Sequence, residues 1–326
     1  MTFSSPKLLS IICPVMNEEE VIEMFLQGIT PSLDQATALL PEGSTYEIIF
    51  IDDGSRDATP FIIGELAKTN PKLKLISLSR NFGKEAAMAA GLQYSSGDAA
   101  IPIDVDLQDP PEIIVDMVHE WMAGAKVVNA KRVNRDSDSW IKRSTAQLFY
   151  NGFNKIAHYT IPENVGDFRL LDREVVDTLN LFTERNRFMK AIFSWVGYKQ
   201  ATVEYTRLTR IAGTSKFKYW KLWNFALDGI TGSTTVPLRM WTYVGVAMAI
   251  AAALFAAFII VKTLVFGIDS PGYASLMVVM LTIGAFNFIS LGILGEYVGR
   301  ISEEVRNRPL FIVQHTVGLE EKKQPF

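Results

Sequence analysis

The run Ala99-Ala100-Ile101-Pro102-Ile103-Asp104-Val105-Asp106-Leu107-Gln108-Asp109-Pro110-Pro111-Glu112 sets the fold of this chain. Its apolar opening, Ala99–Ile103, reads as a strand buried on both faces, and it gives way at once to an acidic loop. Asp109 followed by Pro110-Pro111-Glu112 is a helix-start pattern, which predicts a helix over Pro111–Ala123 with Asp109 as its cap. The same strand, polar loop, helix order repeats upstream. Leu8–Pro14, Glu47–Ile51 and Leu73–Leu78 are predicted strands, Lys126–Ala130 is a fifth, and Glu18–Leu26, Pro60–Lys68 (capped by Thr59) and Lys84–Tyr94 are predicted helices. Such alternation predicts an α/β domain built on a mostly parallel sheet, whose ligands collect in the loops at the carboxyl ends of the strands.

Those loops are unusually polar. They read Asn17-Glu18-Glu19, Asp52-Asp53-Gly54-Ser55, Ser79-Arg80-Asn81-Phe82-Gly83-Lys84 and Asp104 through Asp109. Several oxygen donors on one tight turn suit a hard divalent cation, Mg²⁺ or Mn²⁺, bridging protein to a diphosphate. An Asp-x-Asp pair also caps helices, and Asp-Gly is a turn formula, so each loop alone has a plain structural reading. Three acidic strand-end loops together exceed what turn chemistry requires.

The last third of the chain has a different character. Met240–Val261 and Ser270–Gly295 are uncharged, and each is long enough as a helix, at roughly 33 Å or more, to cross a hydrocarbon core of about 30 Å. They predict a hairpin with transmembrane helices over 240–266 and 270–299, turning near Phe266-Gly267. Lys216, Lys218, Lys221 and Arg239 precede it, Arg300, Arg306, Arg308, Lys322 and Lys323 follow it, and the connection carries only Lys262 and Asp269. Both flanks are therefore expected on the cytoplasmic side of an inner membrane, with a catalytic domain over 1–215 and both termini in the cytosol. Phe217, Tyr219, Trp220, Trp223 and Phe225 among lysines mark 216–239 as an interfacial amphipathic segment, and 300–326 is expected to be a juxtamembrane helix and tail.

Several classes are excluded. A net charge of −3 without a dominant basic face argues against nucleic acid as a partner. The single cysteine, Cys13, supports neither disulfides nor a cysteine metal cluster, and His119, His158 and His315 lack metal-ligand spacing. No glycine-rich dinucleotide fingerprint, P-loop or nucleophile elbow is present.

Pro14-Val15-Met16-Asn17-Glu18-Glu19, Ile51 through Ser55, Ser79 through Glu85, Asp104 through Glu112, Gly166-Asp167-Phe168-Arg169, Arg210 through Lys216 and Gly295-Glu296-Tyr297-Val298-Gly299-Arg300 together resemble family 2 glycosyltransferases, from about Leu8 to Pro309. Within that family the chain is similar to the polyprenyl-phosphate glycosyltransferases, closest to the bactoprenol-phosphate glucosyltransferases of O-antigen glucosylation systems. The resemblance implies a GT-A fold and inverting transfer of glucose from UDP-glucose to undecaprenyl phosphate, with Mg²⁺ or Mn²⁺ as cofactor. It implies that Pro14, Asn17, Glu19, Asp52 and Asp53 line the nucleoside site, with Asp53 reading the base, and that Arg80, Lys84, Arg210 and Lys216 serve the nucleotide sugar. Asp104, Asp106 and Gln108 would hold the metal and diphosphate, and Arg132 and Arg143 the acceptor phosphate. Dolichol-phosphate mannose synthases, which are related, carry a serine four residues after the second arginine; here it is Gln147. The expected partners are the lipid membrane, further copies of the chain, a lipid-sugar flippase and a downstream glycosyltransferase.

Two sugars rival glucose: mannose from GDP-mannose, and an aminoarabinose-type sugar. A processive polysaccharide synthase lacks its Gln-x-x-Arg-Trp motif here. An inactive membrane scaffold of the same fold would be free to lose Asp53, Asp104 and Asp106, all of which are present.

Overall fold

A computed structural model describes residues 3–133, 165–184, 189–206, 236–266 and 272–319. Residues from Met1 to Trp223 and from Arg308 to Phe326 form one unit, and Asn224–Asn307 a second.

The first unit is an eight-stranded sheet. Its strands are β1 (Leu8–Val15), β2 (Thr45–Asp52), β3 (Leu73–Leu78), β4 (Ala99–Pro102), β5 (Val127–Arg132), β6 (Val165–Asp172), β7 (Gln200–Tyr205) and β8 (Val313–Val317), in the order β7-β5-β6-β4-β1-β2-β3-β8. β1 pairs in parallel with β2 and β4, as do β2 with β3 and β5 with β7; β6 and β8 run antiparallel to their neighbours. The five predicted strands are all present, and the mostly parallel sheet with helices is the expected GT-A architecture. Strands β6, β7 and β8 were not predicted.

Alternation along β1 builds the two faces of the sheet. Leu9, Ile11, Cys13 and Val15 point into one core with α1 (Ile22–Ala38), while Ile12 points into the other. Helices α2 (Thr59–Thr69) and α4 (Ile113–Met122) join the first core through Ile63, Ile114, Met117 and Trp121. Helix α3 (Lys84–Tyr94) covers the second face with α5 (Arg173–Asn180) and α6 (Met189–Trp195). A Cβ on Gly91 of α3 would stand 2.3 Å from Ile12 Cγ2, so glycine there permits close approach to the sheet.

Three local expectations are corrected. The first helix does not end at Leu26: its buried stripe Ile22, Phe25, Ile29, Leu33 and Ala36 continues through Pro31, because burial along that face outweighs one lost backbone hydrogen bond. Asp109 is not the cap of α4, which starts after Glu112 without a side-chain cap. Thr59 is the first residue of α2 rather than its cap, and its hydroxyl donates to Asp57 Oδ1 at 2.6 Å while accepting from Glu18 N at 2.9 Å.

In the second unit, α7 (Val236–Phe266) and α8 (Tyr273–Val305) are long helices, with Trp241 packed edge-on to Phe286 at 6.0 Å. Leu264 and Phe288 are 80 % and 78 % exposed. Among the described residues, one stretch, Val278–Gly299 of α8, is long and apolar enough to cross a membrane. Most of 216–239 lies outside the described residues, and of 300–326 the part to Val305 is helical while Val313–Val317 is strand β8 on the sheet.

Candidate active site

The carboxyl ends of β1, β2, β3, β4 and β5 present the predicted side chains on adjacent loops, because the parallel register aligns Val15 with Asp52 and Asp52 with Ser77. Two loops are tied into one wall. Asn17, with φ of 55°, donates its N–H to Ser55 Oγ at 2.9 Å and accepts from Arg56 N at 2.8 Å, while Glu19 Oε2 accepts from Ala58 N at 2.8 Å. Asp52 accepts from Ser55 N at 3.0 Å. Pro14 lies opposite Ile51 in the β1–β2 pairing.

Asp53 reaches across to the next loop. Its two carboxylate oxygens accept from Phe82 N at 2.7 Å and Gly83 N at 2.9 Å, fixing the segment that carries Arg80 and Lys84. Burial pushes the Asp53 carboxyl above its ordinary pKa, with the two N–H donors working against that rise. Gly54 makes the approach possible: its φ is +75°, and a Cβ would stand 2.7 Å from the carbonyl carbon of Arg80. Arg80 stacks over Phe82 at 4.0 Å.

Lys84 converges with the acidic turn. Its Nζ lies 2.7 Å from Asp104 Oδ1 and 2.9 Å from Asp167 Oδ2, with Lys84 and Asp104 side chains 43 % and 39 % exposed. Burial opposes its charge, but the Asp167 and Asp104 carboxylates outweigh burial and hold its pKa well above the usual lysine value. Asp106 Oδ1 accepts from Gln108 N at 3.2 Å. Between them Leu107 sits at φ of 51°, a left-handed conformation costing about 1–3 kcal/mol in a non-glycine residue. Its buried side chain lies over Gly28 of α1, where a Cβ would be 3.3 Å from Leu107 Cδ1, so packing holds the strained turn in place.

Asp104, Asp106 and Gln108 lie on the one turn after β4 and carry only oxygen acceptors suited to Mg²⁺ or Mn²⁺, with Asp104 taken up by Lys84. No group of three His, Cys, Asp or Glu side chains among the described residues is placed to hold a metal.

Arg132 closes the far side. Its Nε donates to Tyr205 Oη at 3.0 Å, its Nη2 lies 3.5 Å from Asp109 Oδ1, and Tyr205 Oη donates to Asp109 Oδ1 at 2.5 Å. Burial works against the Arg132 charge, but Asp109, Tyr205 and Asp104 reverse the effect and raise its pKa. Arg143, Gln147, Arg210 and Lys216 lie outside the described residues.

Four residues at the site were given no part in it by the sequence. Asp167 was quoted within Gly166-Asp167-Phe168-Arg169 but given no role, and it is the second carboxylate on Lys84. Behind it Arg169 is buried, stacks on Phe193 at 4.0 Å and donates to Gly166 O at 2.6 Å; burial lowers its pKa to about 10 against the pull of Asp167 and Glu85. Asp109 was assigned to capping, and Tyr205 carried no local signal.

The family model described as Glycosyl transferase family 2 matches residues 10–179. The chain belongs to that family. The SfII prophage-derived bactoprenol glucosyl transferase of Shigella flexneri is 51% identical over 306 residues, covering 94% of this chain and 97% of its own. A prophage bactoprenol glucosyl transferase homolog of Escherichia coli K12 is 49% identical, over 94% of this chain and 98% of its own. An uncharacterized glycosyltransferase of Synechocystis is 46% identical over 96% of each chain. The family match spans β1 through most of α5, and with them every acidic loop of the site.

Proposed function

We propose that this glycosyltransferase moves glucose from UDP-glucose to undecaprenyl phosphate at the cytoplasmic face of a membrane. The observation that carries the reading is the near-50% identity, along 94% of the chain, to proteins named bactoprenol glucosyl transferases. The intact acidic set Asp53, Asp104 and Asp106 speaks against an inactive scaffold.

The chemistry asks little of a general base. A lipid phosphate is already anionic at neutral pH, so its oxygen attacks C1 of glucose as the bond from C1 to the UDP β-phosphate oxygen breaks, with no proton to remove. The configuration inverts. What the chain must supply is alignment and charge. Arg132, with Arg143, receives and orients the acceptor phosphate. Asp53 keeps a second lone pair on each oxygen for the nucleobase while it holds the Phe82–Gly83 backbone. Asp104, Asp106 and Gln108 would hold a divalent ion, which when bound neutralises charge developing on the diphosphate. Lys84 places a cation beside the same group, and Lys216 is assigned to the loop that closes over it.

The acceptor lies in a bilayer, and α7 and α8 match that need. Leucine and phenylalanine side chains exposed along them are stable in lipid and costly in water. Our reading is a two-helix hairpin with both flanks cytosolic, so a reporter after Phe326 is expected inside and one near Asp269 outside. Transfer of label from UDP-[¹⁴C]glucose into extractable lipid, dependent on added undecaprenyl phosphate, tests the reaction. Absence of a labelled lipid from folded protein would refute it.

A further inference from the structure

The Arg132 guanidinium has an unusual companion. Arginine and carboxylate at the end of a sheet ordinarily close into a bidentate pair, which spends two parallel N–H donors and leaves the cation turned inward. Here a phenol stands between them. Tyr205 Oη accepts from Arg132 Nε at 3.0 Å and donates to Asp109 Oδ1 at 2.5 Å, while the direct Arg132 Nη2 to Asp109 separation of 3.5 Å is longer than a good hydrogen bond. The guanidinium is therefore aimed through Nε and balanced by a nearby charge without being closed upon it. Its side chain remains 26 % exposed. A guanidinium carries five N–H donors, and among the described residues this arrangement engages it only through Nε to Tyr205 and Nη2 near Asp109.

The three residues come from three elements: Asp109 from the loop after β4, Arg132 from the end of β5 and Tyr205 from the end of β7. Arg132 and Tyr205 are register partners in the parallel pair, and Val133 N donates to Tyr205 O at 2.9 Å, so the backbone fixes the phenol beside the arginine. Tyr205 and Asp109 are both buried, and the tyrosine ring packs edge-on to Phe168 at 6.2 Å, so the phenol has little freedom to move away. Gly166 also leaves room for the guanidinium, since a Cβ there would lie 3.2 Å from Arg132 Nη2.

We propose that Tyr205, held by Asp109, is a positioning residue that keeps the Arg132 guanidinium open toward the phosphate of the lipid acceptor, with Gly166 providing the clearance. This inference rests on the assignment of Arg132 to the acceptor. Removing the phenol oxygen lets Asp109 and Arg132 approach and close the bidentate pair, withdrawing the donors. A methyl at residue 166 crowds Nη2 directly and shifts it while leaving the tyrosine in place.

The test compares full-length Tyr205→Phe, Gly166→Ala and Arg132→Ala with the parent in detergent micelles, titrating undecaprenyl phosphate and UDP-glucose separately and recording thermal midpoints. Tyr205→Phe and Gly166→Ala are expected to raise the KM for undecaprenyl phosphate about tenfold, the worth of one hydrogen bond to a charged group, with the KM for UDP-glucose unchanged. A purely structural role would move both constants, or only the thermal midpoint. If Arg132→Ala loses transfer while Tyr205→Phe and Gly166→Ala keep the parental acceptor KM, the positioning inference is overturned and the acceptor assignment stands. If Arg132→Ala itself keeps the parental acceptor KM and turnover, the acceptor assignment is wrong.

Discussion

The two ends of the sheet use the same residue types for opposite purposes. At the amino ends of the strands, Glu47 is buried and saturated: it accepts from Ser10 Oγ at 2.5 Å and Ser96 N at 2.9 Å, and is paired with Lys74. Asp98 joins Lys7 Nζ and Leu8 N, both at 2.9 Å, and Asp172, brought to the start of β4 by the antiparallel β6, joins Lys126 and the Trp121 indole. At the carboxyl ends, Lys84 at the start of α3 and Asp104 on its loop also form an ion pair, but one partly open to solvent, beside a strained turn and an arginine held from closure. Carboxylates locked by backbone and lysine stabilise the sheet. Carboxylates gathered on loops at the other end are the ones proposed to serve a ligand.

The comparison can be broken most decisively at Asp104. Asp104→Ala is expected to cut lipid-product formation by about a thousandfold or more while the thermal midpoint stays near the parent, and EDTA should produce a similar loss in the parent. Full activity in chelator would remove the metal from the account. At the opposite end the pattern reverses: Glu47→Ala is expected to cost about 3 kcal/mol of stability, read by denaturant unfolding of the full chain, with turnover per folded molecule unchanged. A loss of turnover without a loss of stability would erase the distinction.

The pH dependence sharpens it. Burial alone would raise the Glu47 pKa, but its bonds from Lys74, Ser10 and Ser96 outweigh burial and hold it below the usual glutamate value. A depressed folded pKa contributes stability in full above the unfolded value of about 4.3, and that contribution fades as pH falls through the lower folded value. The stability gap between the parent and Glu47→Gln should therefore be widest near neutrality and narrow in acid; a gap independent of pH contradicts the ionised assignment. The smallest effect is expected at Lys126, also at the amino end but 38 % exposed, where Lys126→Ala should cost less than about 1 kcal/mol in the same unfolding measurement.

Much of this was legible in the sequence because buried parallel strands are continuous apolar runs and their loops carry the chemistry. β3 and α3 occupy the predicted residues, and the acidic loops fall where the strands end. What escaped depends on partners distant in sequence. β8 is a short strand of mixed polarity whose partner β3 lies more than two hundred residues earlier, so no local period marks it. β6 was read as a motif rather than a strand, which hid Asp167 from the Lys84 cluster. The first helix was read only to Leu26, because the burial of Ile29, Leu33 and Ala36 beyond it depends on the sheet they pack against. Asp109 beside two prolines has the form of a cap, and only the pairing of β5 with β7 brings Tyr205 to claim it.

The central claim is that the open end of the sheet couples glucose to a lipid phosphate. Purified full-length protein, reconstituted with undecaprenyl phosphate and supplied in parallel with UDP-glucose, GDP-mannose and UDP-aminoarabinose, allows each lipid product to be identified by mass spectrometry and its kcat/KM compared. The account predicts glucosyl phosphoryl undecaprenol from UDP-glucose as the preferred product, lost in Asp104→Ala. A higher kcat/KM with either other donor, or equal product from Asp104→Ala, would contradict it.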